Sequence, residues 1–303
     1  MKQPENSIEA RVDRIVQEDA ICQNSVGSQP VKQEEQKEEH SDQSEGKHRK
    51  VDDVKPPLLA KIMANAATLL LLFSLSAGGF IFYQTTYSDW INETKQNNLA
   101  AQIQSNDEWK QGGEEASHTL TAQQDKGDET FDVGIGKPFS TLKIPSLGID
   151  KVIVEGVGQP ELAQGPAHFP ESALPGHKGN FSLAGHRIGQ GAPFNKIGDL
   201  KTCDPIEVET AHKIYTYKVV GDGDCFSQAD KKSVEGYNLK PVNIVKPTDV
   251  GVVDSKPWVE SQGEQSTDQN GQAKIMTLVT CNPEWGNWER MIVHAQLTEV
   301  KEK

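Results

Sequence analysis

An all-β fold, an eight-stranded barrel with short helices preceded by one transmembrane helix, is the architecture predicted here, and three observations predict it. Beyond about Gly134 the chain becomes a series of short β-rich runs separated by Gly and Pro, the pattern of a barrel or sandwich. Upstream, Ile62 to Tyr83 reads IMANAATLLLLFSLSAGGFIFY without a charged residue. Around that run the chain is polar and poor in aromatics, so only the segment after Gly134 can bury a sizeable core.

Taken in order, residues 1–57 are rich in Glu, Gln, Lys, Ser and Asp, a composition that cannot bury enough apolar surface to fold, and they read as a disordered cytoplasmic tail. Residues 58–83 read as the anchor. At about 1.5 Å per residue the uncharged run crosses a hydrocarbon core of roughly 30 Å. A cleaved secretory signal is the competing reading, with small residues at Ser74-Leu75-Ser76-Ala77, but such signals begin near the N-terminus and have a shorter apolar core. Lys47, Arg49, Lys50, Lys55 and Lys61 precede the run, whereas only Lys95 follows within about twenty residues. That asymmetry predicts a single-pass protein of the plasma membrane with its N-terminus in the cytoplasm and everything from about Gln84 outside.

Residues 84–133 are polar. Their first part can continue as a helix, and Gly112-Gly113 and Gly127 argue for a flexible stalk beyond it. Residues 134–303 form the expected barrel domain. Its candidate strands are Phe139 to Ile144, Lys151 to Val154, Asn180 to Ala184, Pro205 to Thr210, Ile214 to Val220, Val242 to Lys246, Lys274 to Cys281 and Glu289 to Thr298. Ala192 to Ile197 reads as a helical turn with proline near its start. Gly221 to Lys240 and Val253 to Gln272 read as long loops, which are often lids or simply mobile.

The net charge of -13 and pI near 5.1 exclude a nucleic-acid partner, since a phosphate backbone selects basic surfaces. Chemistry concentrates in three residues. A thiol attacking an amide needs a thiolate, a proton source for the leaving amine and a donor opposite the developing oxyanion. Cys281 closes one strand, Arg290 opens the next across Asn282 to Trp288, and His186 ends an apolar run far upstream. Taken singly each has a plainer reading, because a lone cysteine is often a small buried hydrophobe and a lone arginine usually sits in a surface ion pair.

Together they point further. Thr277-Leu278-Val279-Thr280-Cys281, the Arg290 of ERMIVHAQL and the His186 of SLAGHR resemble the signature of sortases, the membrane-anchored cysteine transpeptidases that attach proteins to the Gram-positive cell wall. The resemblance covers the barrel domain and implies a sortase-like barrel with Cys281 as nucleophile, His186 as general acid and base, and Arg290 as oxyanion donor or substrate orienter. It further implies cleavage of an LPXTG-like signal between Thr and Gly through a thioester, then transfer to a peptidoglycan-precursor amine. The partners implied are surface proteins bearing that signal. No cofactor is implied, and no EF-hand spacing argues for a metal.

AGHRxxxGAPFNKIGDL and TLVTCNP...ERMIVHA are most similar to class E sortases, a group that tends to prefer Ala over Pro in the signal. Ile188-Gly189-Gln190 departs from the threonine pair and tyrosine of many class E members, which leaves LPXTG against LAXTG open. A pilin-polymerising class C enzyme using a pilin lysine is the nearest rival; its Asp-Pro-aromatic lid motif is matched only loosely by Ser88-Asp89-Trp90. A cysteine protease of the same fold and a catalytically silent anchor are the other readings.

Thr280, Trp285 and Trp288 are candidate substrate contacts, although the tryptophans serve equally well as barrel caps. Cys22 falls in the tail and is expected to stay reduced. Cys203 and Cys225 lie outside the membrane on either side of the expected hairpin at Ala211-His212, and a disulfide between them is left open. His168, His177 and His294 read as structural or solvated, because no metal-ligand spacing surrounds them.

Overall fold

The computed structural model describes residues 58–83, 88–105, 133–263 and 272–303. The cytoplasmic tail with Cys22, the distal part of the expected stalk and the centre of the second long loop lie outside the described residues.

The described chain falls into two compact units. One carries α1 (Leu58–Phe82), 25 residues long, about 37 Å at helical rise. Leu69, Leu70, Leu71, Phe73, Leu75 and Phe80 are exposed on it. Among the described residues no helix is long and apolar enough to cross a membrane, so the expected span forms a helix that the structure does not support as a span.

The second unit opens with α2 (Ser88–Ser105). Residues 88–105 therefore do not rise as the start of a stalk; they dock on the barrel, burying Leu99 and Ile103 against Val152 and Val154. Full burial of such side chains contributes about 1.5–3 kcal/mol each. A buried glutamine fixes the register. Gln96 Nε2 donates to Val152 O (3.3 Å) and Gln164 O (2.6 Å), while Gln96 Oε1 accepts from Val152 N (2.7 Å). The amide thus occupies a strand edge that no neighbouring strand reaches.

The barrel comprises β1 (Pro138–Ile144), β2 (Ile149–Glu155), the short helix α3 (Gln159–Leu162), β3 (Ala167–His168), β4 (Gly179–Ala184), β5 (Pro205–Glu209), β6 (Lys213–Val219), α4 (Gln228–Ser233), β7 (Val242–Val245), β8 (Lys274–Asn282) and β9 (Glu289–Glu302). Strands run in the order β6-β5-β1-β2-β3-β4-β8-β9, and β6 pairs back onto β9 to close the ring. Eight strands make that ring, and β7 is a ninth attached beside it. The membership differs from the sequence expectation. The ring includes β3, whose two residues are too short to show as a periodic run, and Val242–Val245 stands outside because β9 is long enough to pair with β6 over its second half and β7 over its first.

Two apolar clusters lie on the two sides of this wall. Phe139, Leu142, Ile153, Phe181, Leu183, Met276, Leu278 and Val293, drawn from around the ring, fill the interior. Val154, Ala184, Val279, Cys281 and Ile292 alternate with these along the same strands and form an outer cluster, covered in part by α2 and by Val252, Val253 and Val259. β8 is therefore buried on both faces, which explains a nearly unbroken apolar run where a one-sided strand would alternate.

The long loops are anchored over their described parts. The first holds α4 with a Ser227–Asp230 capping box, and a disulfide joins Cys203 to Cys225 with Cα atoms 5.9 Å apart. In the second, Asp249 accepts from Ser261 N (2.8 Å) and Lys246 N (2.8 Å), and Trp258 Nε1 donates to Asp254 Oδ2 (2.7 Å). Gly251 lies flat on that indole, where any Cβ would fall within 2.3 Å of Trp258.

Candidate active site

The site is built by three neighbouring strands. β8 pairs antiparallel with β9, and the register sets Cys281 directly opposite Arg290, so both side chains leave the same face. On the other side β8 runs parallel to β4, with Ala184 level with Val279; the chain beyond continues level, Gly185 N donating to Val279 O at 3.1 Å. His186 thus comes alongside Cys281. The parity of the strands puts Cys281 with Val279 and Ile292 on the outer face, at one end of the barrel.

All three residues are buried, at 4% exposure for His186, 6% for Cys281 and 1% for Arg290, which takes the site out of bulk dielectric and strengthens every charge interaction inside it. Arg290 is fixed through its Nη1, which donates to Asn287 O (2.8 Å) and Glu289 O (3.0 Å) in the hairpin. His186 is fixed through its main chain, where its carbonyl accepts from Phe194 N (3.1 Å). Gly185 is required beside it, since a Cβ there would meet the Phe194 ring at 2.6 Å. That ring, fully buried, ties the loop after His186 into the interior.

The candidate substrate contacts divide. Thr280 is wholly buried and its hydroxyl donates to Gly185 O (2.8 Å), so it is a tie between β8 and the histidine segment and has no surface to offer a substrate. Trp285 and Trp288 stand at 74% and 55% exposure in the turn between β8 and β9, edge to face with ring centroids 5.0 Å apart. They do not cap the barrel.

Two further histidines form buried networks. His168 Nδ1 lies 2.7 Å from Glu155 Oε2 and its Nε2 3.1 Å from Ala173 O, between the rings of Phe139 and Phe181 in the interior. His294 belongs to the outer face, in line with the site. Asn180 Nδ2 donates to Val252 O and Asp254 O (both 3.1 Å), which turns its Oδ1 toward Thr277; the Thr277 hydroxyl donates there (2.8 Å) and must accept from His294 Nδ1 (3.1 Å). Burial, with a smaller contribution from the Lys240 charge, pushes His294 down to about 4, so it is neutral in this network. The chain of bonds clamps the covering loop onto β4, β8 and β9. Nothing in the sequence marks it, because Asn180 and Thr277 look like ordinary strand residues. Arg187, inside the SLAGHR run, donates through Nη1 to Cys281 O (3.2 Å), a contact the sequence does not announce.

A closed barrel with a cysteine, a histidine and an arginine gathered at adjoining strand ends defines a class of protein with a cysteine-bearing candidate site on the outer wall. The chain belongs to the sortase family, whose domain model matches residues 142–298, just over half of its length. Among curated relatives it is 29% identical over 250 residues to Sortase SrtE1 of Streptomyces coelicolor, a match spanning 80% of this chain and 57% of that protein. It is also 29% identical to Sortase SrtE2 of the same organism, over 80% of this chain and 85% of that protein. The chain therefore spans little more than half the length of the first of these relatives. Among solved structures, the SrtF sortase from Corynebacterium diphtheriae is 33% identical over 60% of this chain and 94% of its own, with a TM-score of 0.48.

Proposed function

We propose that the protein is a membrane-anchored cysteine transpeptidase that cleaves a sorting signal of the LPXTG or LAXTG kind between Thr and Gly and transfers the new acyl group to a cell-wall precursor amine. The observation that carries this reading is the lateral alignment of His186, two residues past the end of β4, with Cys281 on β8 and Arg290 on β9. In the reaction, the Cys281 thiolate adds to the Thr carbonyl carbon and the carbonyl oxygen becomes an anion facing the Arg290 guanidinium. Collapse breaks the C–N bond, His186 gives its proton to the departing glycine amine, and an acyl thioester remains on Cys281. The acceptor amine then loses a proton to His186 as it attacks, forming the new amide and releasing the thiolate.

Trp285 and Trp288 stand exposed in the turn that joins Cys281 to Arg290, a surface for either the signal or the acceptor. The anchor rests on the sequence: Ile62 to Tyr83 carries no charge, and at about 1.5 Å per residue such a run can cross a hydrocarbon core of roughly 30 Å. The basic residues preceding it support a cytoplasmic N-terminus and an extracellular barrel.

Purified protein incubated with LPXTG and LAXTG peptides, with and without a small amine, tests the proposal through its products. Amide product in the presence of amine is expected. Only free Thr carboxylate with amine present would make the protein a protease of the same fold, and preference for a pilin lysine over a precursor amine would make it a pilin polymerase.

A further inference from the structure

We propose that Arg187 is a positioning residue, setting the relation of His186 to Cys281 by gripping the main chain at the end of β8. The inference rests on the reading of Cys281 and His186 given above.

The β4–β8 ladder is the rigid connection between the two catalytic segments, and its last ties are Gly185 N to Val279 O and the Thr280 hydroxyl to Gly185 O. Past that point the chain turns away through Ile188 to Ala192, where Gly189, Gln190, Gly191 and Ala192 all have positive φ. Two of these are not glycine, so the segment holds a backbone that other contacts must enforce. Arg187 supplies such contacts at both of its ends. Its Nη1 donates to Cys281 O (3.2 Å) and to Asn282 Oδ1. Its own carbonyl accepts from Asn195 Nδ2 (2.9 Å), whose amide also donates to Glu284 Oε1 (2.8 Å) in the turn. Asn282 Nδ2 in turn donates to Glu289 Oε2 (2.6 Å), beside Arg290.

These bonds run from the histidine segment to the cysteine strand and on to the arginine strand, and Arg187 is where they converge. A guanidinium can serve a carbonyl and an amide oxygen at once through one forked nitrogen. The partly buried setting makes those bonds firmer than they would be in water. Thiol and imidazole must meet within tenths of an ångström, and a misplacement of about 1 Å costs on the order of 10² in rate. Arg187 acts through the backbone of Cys281 and the side chain of Asn282.

The test is steady-state kinetics on the full chain with LPXTG and LAXTG peptides, for Arg187→Ala, Arg187→Lys, Asn282→Ala and the Arg187→Ala/Asn282→Ala double variant, with thermal melts of each. Loss of positioning predicts kcat down by about 10- to 100-fold in Arg187→Ala with KM changed by less than about twofold. Arg187→Lys should recover part of the rate, and Asn282→Ala should cost less in the Arg187→Ala background than alone. A kcat in Arg187→Ala within about twofold of wild type overturns the proposal, as do strictly additive effects. If Arg187→Ala fails to fold, Arg187→Lys and Asn282→Ala decide: a lowered kcat at constant KM in Asn282→Ala supports it, and unchanged kcat in both overturns it. Wild-type protein that forms no thioester would instead overturn the reading of the site, a result distinct from either.

Discussion

The two faces of β8 carry similar burial and opposite duties. Inward, Met276 and Leu278 meet a lining of aliphatic and aromatic side chains and do nothing but fill the barrel. Outward, Thr277, Val279 and Cys281 alternate polar and apolar, and the polar positions are bonded or belong to the site. Alternation along one strand therefore separates stability from chemistry by a single residue step. The outer face stays dry only because loops and α2 cover it, so their polar clamps matter to the site although they lie outside the barrel.

Substitutions on each face should break or sharpen that contrast. The largest effect belongs to His186→Ala, expected to remove turnover while leaving the thermal midpoint within a few degrees, because the imidazole is the proposed proton carrier; a peptide-cleavage assay beside a melt checks both. Arg290→Ala should lower kcat/KM by about 10² to 10³, the loss typical of one oxyanion donor. Leu278→Ala, one strand step inside, should do the reverse: a loss of about 2–5 kcal/mol in chemical denaturation with activity per folded molecule nearly intact. If Leu278→Ala abolished activity at full stability, the division between faces would be wrong.

The remaining two concern the covering elements. Folded His294 binds a proton only below about 4, whereas the unfolded ring binds one below its ordinary 6.5. Between those values the unfolded state holds more protons, so stability should fall as pH drops from about 6.5 toward 4, at up to about 1.4 kcal/mol per pH unit, and be unaffected above. His294→Gln should flatten that part of the curve in urea titrations taken at successive pH values. Gln96→Ala should cost about 1–3 kcal/mol, by leaving Val152 N and O without their partner, and should expose α2 to proteolysis ahead of the barrel. Equal protection of α2 in wild type and variant would detach that amide from the docking.

The placement of two of the three candidate site residues was legible because they are close in sequence. Cys281 and Arg290 sit at the two ends of one hairpin, and the apolar runs before Cys281 and His186 are strands whose ends can be read directly. The ring of eight was legible as a count but not as a membership. A two-residue strand such as β3 has no periodicity to detect, and only the register of β9 reveals that β7 lies beside the ring. The docking of α2 was hidden for a different reason. Its surface is polar on most sides, and its contact relies on the buried polar Gln96 and Asn92 beside two buried apolar residues, Leu99 and Ile103, so no apolar stripe announced it. Thr280 misled because the residue beside a candidate nucleophile invites a substrate role, whereas the inward parity of β8 sends it to Gly185.

The central claim is that the Cys281 sulfur carries the acyl group. Intact-mass measurement after mixing with a sorting-signal peptide, followed by peptide mapping, tests it most directly. An adduct of the mass of the peptide up to its threonine is expected, located on Cys281, absent in Cys281→Ala and discharged by added amine. An adduct of that mass on any other residue, or peptide cleavage by Cys281→Ala, would contradict it.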